Sequence, residues 1–168
     1  VQGKVPVLDT KEREKLNQSG VHYSEMLPVE YAPSDEYLKL YKETLASQGK
    51  ETAQAVVNLA SKILKEKSLD NIVLVSLARA GTPVGILLKR YFDKYADKNH
   101  KHDIPHYTIS IIRGKGFDKA AINYILENHP ASSIVFVDGW VGKGAINRVL
   151  AEAVHELGVE GLSPELAV

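Results

Sequence analysis

The sequence predicts an α/β fold in which helices cover a mostly parallel β-sheet. From residue 71 onward, short apolar runs alternate with amphipathic segments, and the runs are rich in β-branched residues, as in strands buried on both faces. Before residue 71 the chain is typical of helix and loop. Alternation of strand and helix favours right-handed crossovers, which place the loops after successive strands along one edge of the sheet.

Composition bounds the kinds of protein that this sequence can specify. The 168 residues suffice for one domain with a substantial core. The net charge is zero, so we expect neither nucleic acid nor an anionic membrane as a primary partner. Apolar runs stay well short of the roughly 20 residues of a membrane span. The sequence contains no cysteine, which fits a reducing compartment, and we expect a cytoplasmic location.

The first part of the chain predicts helices and an ordered loop. Asp9 or Thr10 can cap a short charged helix. Residues 21–33 contain two prolines and are typical of a loop. Ser34 can then cap a helix that ends near Gly49, and a second helix follows it.

The remaining residues predict strands and helices in strict alternation. The predicted strands are residues 72–77, 106–112 and 134–137, with a fourth strand beginning near Leu166. The predicted helices are residues 83–97, 118–127 and 146–157. Because a strand starts so near residue 168, we expect the chain to be a fragment, truncated at its C-terminus. The linker from 97 to 105 is rich in lysine, asparagine and aspartate. A cluster is formed there by His100, His102 and His106 with Asp103, but its spacing matches no zinc pattern, so a metal site is disfavoured.

The stretch after the third predicted strand carries the strongest functional signal. Asp138 ends the strand, Gly142 and Gly144 bracket Lys143, and an amphipathic helix begins near Ile146. Backbone N–H groups and the positive end of the helix dipole point at an anion in such an arrangement. The Asp138 carboxylate can bind hydroxyl groups or a metal-held ligand. The pattern therefore predicts a binding place for a phosphorylated sugar.

Two further loops follow the first and second predicted strands. After the first strand, Arg79 precedes Ala80 and Gly81, so backbone amides can approach an anion while the guanidinium adds a bidentate donor. The alternative is a tight turn with a solvated arginine. After the second strand, Arg113 and Lys115 alternate with glycines and predict a mobile basic loop that closes over a charged substrate. For this loop taken alone, a solvated turn is the favoured interpretation.

Together the three loops resemble those of the type I phosphoribosyltransferase superfamily. Residues 75–85 look like its pyrophosphate-binding loop, and residues 135–144 look like its diphosphoribose-binding motif. A closer resemblance, over residues 13–168, is to the phosphoribosyltransferase-like family encoded with bacterial tellurium-resistance and stress genes; residues 20–28 and 136–140 carry it. Some members bear a cysteine-protease label, which a chain without cysteine cannot support within these residues.

The resemblance implies a fold and an activity. The fold is a Rossmann-like parallel sheet of the type I phosphoribosyltransferase kind, with a helical hood at residues 1–49 and an α/β core at residues 50–168. The activity is that of a glycosyltransferase-class enzyme that binds 5-phosphoribosyl diphosphate with Mg²⁺ and transfers phosphoribose to or from a nitrogenous base in a stress-linked pathway. Because Gly139 stands where the motif usually has a second acid, the alternative is a non-catalytic sensor of a phosphorylated ribose or nucleotide. A homodimer is left open.

The resemblance also assigns roles to single residues. Asp138 binds the ribose and, indirectly, the metal, while Arg113 and Lys115 close over the leaving group. The residues implied to hold the pyrophosphate are Ala78, Arg79, Ala80 and Gly81. Those implied to hold the 5′-phosphate are Gly139, Gly142, Lys143, Gly144 and Ala145. The candidates for contact with the acceptor are His22, Tyr23, Glu25 and Trp140, although for Trp140 packing of the loop against the sheet is favoured over stacking on a base.

Overall fold

The structure is a computed structural model, and it describes residues 5–96 and 103–168. The chain divides into two compact units, Val1–Gln48 and Gly49–Val168. The assignment of a hood and a core to these parts of the chain stays a prediction. Of the helices within the described residues, none combines the length and the apolar character needed to cross a membrane. The cytoplasmic location also stays a prediction.

The N-terminal unit contains a short parallel strand pair and a capped helix. Strand β1 (Val7–Leu8) pairs with strand β2 (Leu27–Pro28). Helix α1 (Thr10–Gln18) begins with a capping box, in which the Asp9 carboxylate accepts a hydrogen bond from the Glu12 N–H at 2.9 Å. The cap agrees with the sequence prediction. The strand pair was not predicted, because two residues are too few to show a periodicity.

One continuous helix, α2 (Asp35–Glu66), stands where the sequence predicts two. The Ser34 hydroxyl accepts a hydrogen bond from the Tyr37 N–H at 3.2 Å, as expected of an N-cap. Gly49, the predicted end of the first helix, lies inside α2. Glycine in a helix interior costs only about 0.5–1 kcal/mol relative to alanine, so good helix formers on both sides carry the helix through it. The predicted break is therefore wrong.

The second unit is built on a five-stranded sheet with the order β5-β4-β3-β6-β7. Its parallel strands are β3 (Val73–Ala78), β4 (His106–Ile112), β6 (Ile134–Val137) and β7 (Leu166–Ala167), and β5 (Gly116–Phe117) pairs antiparallel with β4. The mixed α/β class and the parallel sheet are confirmed, and β4 and β6 have their predicted bounds. The antiparallel β5 was missed because it also has two residues.

Helices cover both faces of this sheet. The remaining α-helices of residues 5–96 and 103–168 are α3 (Gly81–Tyr91), which continues as a π-helical turn at Phe92–Ala96, α4 (Lys119–Asn128) and α5 (Ala145–Leu157). Helices α4 and α5 pack on one face of the sheet, and α3 and the C-terminal part of α2 pack on the other. Phe92 is buried, whereas Tyr95 is 67% exposed. The wider π-helical turn rotates Tyr95 away from the core-facing position that an α-helix would give it.

Candidate functional site

The loops after β3 and β6 touch each other through their backbones. A Cβ atom on Gly81 would lie 2.2 Å from the carbonyl oxygen of Val137, and one on Gly139 would lie 2.5 Å from the carbonyl oxygen of Ala80. Real Cβ atoms do not approach backbone so closely, so both positions require glycine. This reciprocal contact holds the Arg79 loop beside Asp138 at the carboxyl edge of the sheet.

Asp138 is a buried acid at the end of β6. Its residue is 4% exposed, and its carboxylate accepts a hydrogen bond from the Gly139 N–H at 2.7 Å. Its own N–H donates to the carbonyl oxygen of Ala167 in β7 at 3.1 Å. Aspartate is rarely this buried without partners, since removing a carboxylate from water is costly. Its position at a strand end, beside a glycine-rich loop, suits the binding of a polar ligand.

The glycine loop leads directly into helix α5. Gly142 and Gly144 have φ values of 54° and 76°, in the left-handed region that favours glycine. The Gly144 N–H donates to the Val141 carbonyl oxygen at 3.0 Å, and Gly144 is the N-cap of α5. As glycine, this cap offers no side chain to the first-turn N–H groups. Those groups can therefore bind an anion, with Lys143 adjacent as a point charge.

Trp140 lies on the same loop and is 75% exposed. A Cβ atom on Gly142 would lie 2.8 Å from the indole nitrogen Nε1 of Trp140, so the indole ring lies over the backbone of Gly142. The favoured packing of this side chain against the sheet is therefore wrong. Its exposed ring is available to a ligand in the glycine loop.

The predicted basic loop forms the turn of a β-hairpin. The Lys115 N–H donates to the carbonyl oxygen of Ile112 at 3.0 Å, and Ile112 pairs with Gly116 in the β4–β5 ladder. The favoured interpretation of this segment as a turn is confirmed, and its mobility stays a prediction. Strand β3 separates β4 from β6, so the hairpin begins two strand spacings, about 10 Å, from the strand that carries Asp138. Closure of Arg113 and Lys115 over a ligand stays a prediction.

The loop predicted to bind pyrophosphate begins directly after β3. The peptide bond between Ala78 and Arg79 is cis, and the Thr82 N–H donates to the Arg79 carbonyl oxygen at 3.2 Å.

The three hood candidates belong to the N-terminal unit. There Nδ1 of His22 lies 2.8 Å from the Ser24 hydroxyl. The hood candidates are His22, Tyr23 and Glu25, and their contact with an acceptor stays a prediction.

A buried polar pair beneath helix α3 was missed by the sequence interpretation. The Ser76 hydroxyl is fully buried and lies 2.8 Å from Nε2 of His106. A Cβ atom on Gly85 would lie 2.0 Å from that hydroxyl oxygen, so a glycine in α3 makes room for the pair. Burial, and then the positive charge of Lys89, lower the pKa of His106 below its usual value. A serine inside the apolar run of β3 was the available signal.

Lys89 connects α3 to the segment that precedes β4. Its ammonium group lies 2.9 Å from the Asp93 carboxylate, donates to the Ile104 carbonyl oxygen at 2.8 Å and pairs with Asp103. Burial acts to lower the pKa of Lys89, but hydrogen bonds with Asp103 and Asp93 outweigh it, and the net direction is upward. Within residues 5–96 and 103–168, no three His, Cys, Asp or Glu side chains form a metal-binding group. The linker residues His100 and His102 lie outside the described residues.

The fold and the site define an α/β protein whose candidate site lies at the carboxyl ends of parallel strands, at a glycine loop that leads into a helix N-terminus. The family described as "Tellurite-like stress resistance cysteine protease StiP" matches residues 2–168, and the chain belongs to that family. A curated relative, "Cysteine protease StiP" of Acinetobacter baylyi (strain ATCC 33305 / BD413 / ADP1), is 44% identical over 147 residues. That alignment covers 87% of this chain, and it spans 37% of the relative's length. No solved structure matches the chain.

These comparisons confirm one expectation and correct another. The resemblance to the tellurium-resistance and stress family is confirmed. The predicted phosphoribosyltransferase activity, with its glycosyltransferase class and its 5-phosphoribosyl diphosphate substrate, is wrong, because the family and the relative are named as cysteine proteases. Loops suited to anions identify a kind of ligand at most, and one fold supports many reactions. The sequence pattern therefore indicated a kind of ligand but did not identify the reaction.

Proposed function

We propose that the protein acts in tellurite-like stress resistance and that this chain supplies a binding site for a small phosphorylated sugar. The observation that carries the proposal is the contact of Gly139 with Ala80 and of Gly81 with Val137, which joins two strand-end loops beside the buried Asp138. The loop of Arg79 follows β3 and the loop of Lys143 follows β6, and these two strands are neighbours in the sheet.

Each part of the site has a role in this proposal. The N–H groups of Gly142, Lys143 and Ala145 bind the phosphate, and the Lys143 side chain adds its charge. Asp138 accepts hydrogen bonds from the sugar hydroxyls. Amides near Gly81, with the Arg79 guanidinium, bind a second anionic group when the ligand carries one.

The name of the relative points to peptide hydrolysis by a thiol. We propose that activity for a longer protein that contains these residues, since the chain spans 37% of the relative's length. The 168 residues contain no cysteine, so the nucleophilic thiol of such a reaction would come from outside them. In that arrangement this chain is the binding part and not the part that attacks the peptide bond.

We also propose that the fold is of the type I phosphoribosyltransferase kind, as a scaffold without the transfer reaction. The parallel order β4-β3-β6 supports this, together with the glycine loop and acid after β6 and the small-residue loop after β3. Magnesium ions are usually bound by one or two carboxylates plus substrate phosphates. Asp138 supplies one such carboxylate, so it would hold Mg²⁺ jointly with a phosphate of the ligand.

The experiment is a titration of the purified chain with ribose 5-phosphate, with and without Mg²⁺. Trp140 is the only tryptophan of the sequence and lies on the glycine loop, so its fluorescence reports binding there. We expect a saturable change with ribose 5-phosphate and none with ribose. Isothermal titration calorimetry provides the same measurement without relying on the indole ring.

Variants locate the bound ligand. Lys143→Ala and Asp138→Asn should each weaken binding by about 10-fold or more, since each removes a charged partner of the ligand. Lys50→Ala, at an exposed lysine of α2, is the matched control and should bind like the parent chain. Absence of saturable binding by both methods, or equal weakening in the control, would overturn the proposal.

A further inference from the structure

Arg148 lies near the start of α5, and its side chain reaches back to the glycine loop. One guanidinium nitrogen, Nη1, donates to the carbonyl oxygen of Lys143 at 3.3 Å. The same nitrogen would lie 3.4 Å from a Cβ atom on Gly144, which is the N-cap of the helix. Arg148 was not among the residues predicted for the site, because one arginine in an amphipathic helix is typical of a solvated face. The fold thus places a second cation beside Lys143.

Two cations at a helix N-terminus are unfavourable unless an anion compensates them. The N-terminus is the positive end of the helix dipole, so negative groups stabilise it and positive groups destabilise it. The first turn of α5 contains no acidic residue. Within residues 5–96 and 103–168, neither Lys143 nor Arg148 forms an ion pair. An anionic ligand would compensate this local excess of positive charge.

Asp138 is an independent indication of a ligand at this loop. The residue is 4% exposed, and its carboxylate oxygen Oδ1 accepts a hydrogen bond from the Gly139 N–H. The other oxygen, Oδ2, accepts none from the described part of the chain. A buried carboxylate is costly unless its oxygens are hydrogen-bonded. Hydroxyl groups of a ligand can donate the hydrogen bonds that Oδ2 does not receive from these residues.

We propose that Arg148 determines the specificity of this site: with Lys143 it binds the phosphate, so that the site selects a phosphate monoester in its dianionic form. This inference rests on the proposed function, the binding of a phosphorylated sugar at the glycine loop. A guanidinium can donate to two oxygens of one phosphate group. Nη2 and Nε of Arg148 donate to no acceptor within the described residues, so they are available to the ligand. The Nη1 bond to Lys143 holds the guanidinium at the loop.

The two cations distinguish a dianion from a monoanion. A phosphate monoester carries a charge of about −1.5 to −2 at about pH 7, because its second pKa is about 6. Such a group compensates both Lys143 and Arg148. A phosphodiester or a sulfate ester has one negative charge, so it leaves one cation uncompensated beside the positive end of the helix dipole. The site therefore favours a terminal phosphate over a phosphate that is esterified on both sides.

Isothermal titration calorimetry at about pH 8 compares two ligands that share the sugar and differ in charge, ribose 5-phosphate and ribose 5-sulfate. The parent chain should bind the phosphate at least about 10-fold more tightly than the sulfate. Arg148→Gln should lose about 10-fold in affinity for the phosphate and little for the sulfate, so the selectivity should disappear. Arg90→Gln, at an exposed arginine of α3, is the matched control and should keep the parent's selectivity.

Inorganic phosphate distinguishes a sugar ester from the free ion, which has the same charge. It should bind the parent chain at least about 10-fold more weakly than ribose 5-phosphate, because it has no sugar hydroxyl groups to donate to Asp138. Equal affinities would assign the loop to the free ion and overturn the assignment to an ester.

Urea denaturation without ligand distinguishes a binding role of Arg148 from a structural one. The midpoint of Arg148→Gln should equal or exceed that of the parent chain, because the substitution removes a cation from the positive end of the helix dipole. A lower midpoint would show that Arg148 stabilises the fold itself, and it would overturn the proposal.

The binding results separate this inference from the proposed function. If the parent chain binds neither ester, the proposed function is wrong and the role of Arg148 is wrong with it. If the parent binds both esters equally, or if Arg148→Gln keeps the selectivity, the sugar phosphate site is retained and only the role of Arg148 is overturned.

Discussion

Gly139 contacts Ala80 through backbone alone: a Cβ atom on Gly139 would lie 2.5 Å from the Ala80 carbonyl oxygen. The two residues are far apart in the sequence and follow neighbouring strands of one sheet. Because the contact is between main chains, it sets the separation of the Arg79 and Asp138 loops without depending on any side-chain conformation. The geometry of the candidate site thus follows from the absence of two side chains, at Gly139 and Gly81.

Gly139→Ala should destabilise the protein. The added methyl group meets a backbone oxygen that cannot rotate away, and overpacking of this kind costs about 1–3 kcal/mol. Urea denaturation gives the free energy of unfolding. Gly49→Ala is the control, because its methyl group meets nothing within 4 Å in α2 and should stabilise by about 0.5–1 kcal/mol. Equal unfolding free energies for the two variants would contradict the contact.

Gly85→Ala should destabilise the second unit through the buried pair under α3. The new methyl group would lie 2.0 Å from the Ser76 hydroxyl oxygen and 2.5 Å from Nε2 of His106. In a double-mutant cycle, adding Ser76→Gly removes the first of these clashes, so the two substitutions together should cost less than their sum. Additive losses would show that the helix shifts and leaves the pair undisturbed.

Stability should fall as the pH drops below about 6.5, in part through His106. The pKa of His106 is lowered in the folded protein, first by burial and then by Lys89, so the unfolded chain takes up its proton at higher pH. Stability is thus complete above the unfolded pKa and is lost as the pH falls toward the folded one. The urea midpoint of His106→Gln should depend less on pH, between about pH 5 and 7, than the midpoint of the parent protein. His155→Gln, at an exposed helical position, is the control and should keep the parent's profile. Parallel profiles for parent and His106→Gln would refute this.

Asp118→Ala should weaken helix α4. The Asp118 carboxylate accepts hydrogen bonds from the Ala120 and Ala121 N–H groups at 3.0 and 3.1 Å, and losing an N-cap costs about 1 kcal/mol. Asp118→Asn keeps an acceptor at the same place and should retain most of the stability. Thermal unfolding followed by circular dichroism distinguishes the two. If both variants melt together, the charge at the helix start, and not the cap bond, is what stabilises α4.

Strand β6 could be predicted from the sequence because it is a continuous apolar run, buried on both faces, and strand β4 because its apolar residues alternate with polar ones. The break at Gly49 could not be excluded from the sequence, since one glycine weakens a helix by less than its neighbours stabilise it. The two-residue strands are too short for any periodicity. Asp138 and the glycine loop were predicted as a site from the sequence. The contact of Gly139 with Ala80 could not be predicted, because it depends on which strands are neighbours in the sheet, and a local sequence pattern does not contain the strand order. The reaction was mispredicted because backbone amides that can bind an anion do not determine which chemical step the bound ligand undergoes.

The hydrogen bond from the Asp138 N–H to the Ala167 carbonyl oxygen connects the buried acid to strand β7. A displacement of that strand would move the main chain at residue 138, and a ligand that fixes residue 138 would hold the strand in place. By thermodynamic linkage, any such coupling works with equal strength in both directions. Ligand affinity and the protection of the strand's amides from hydrogen exchange should therefore be measured together, as two readouts of one equilibrium.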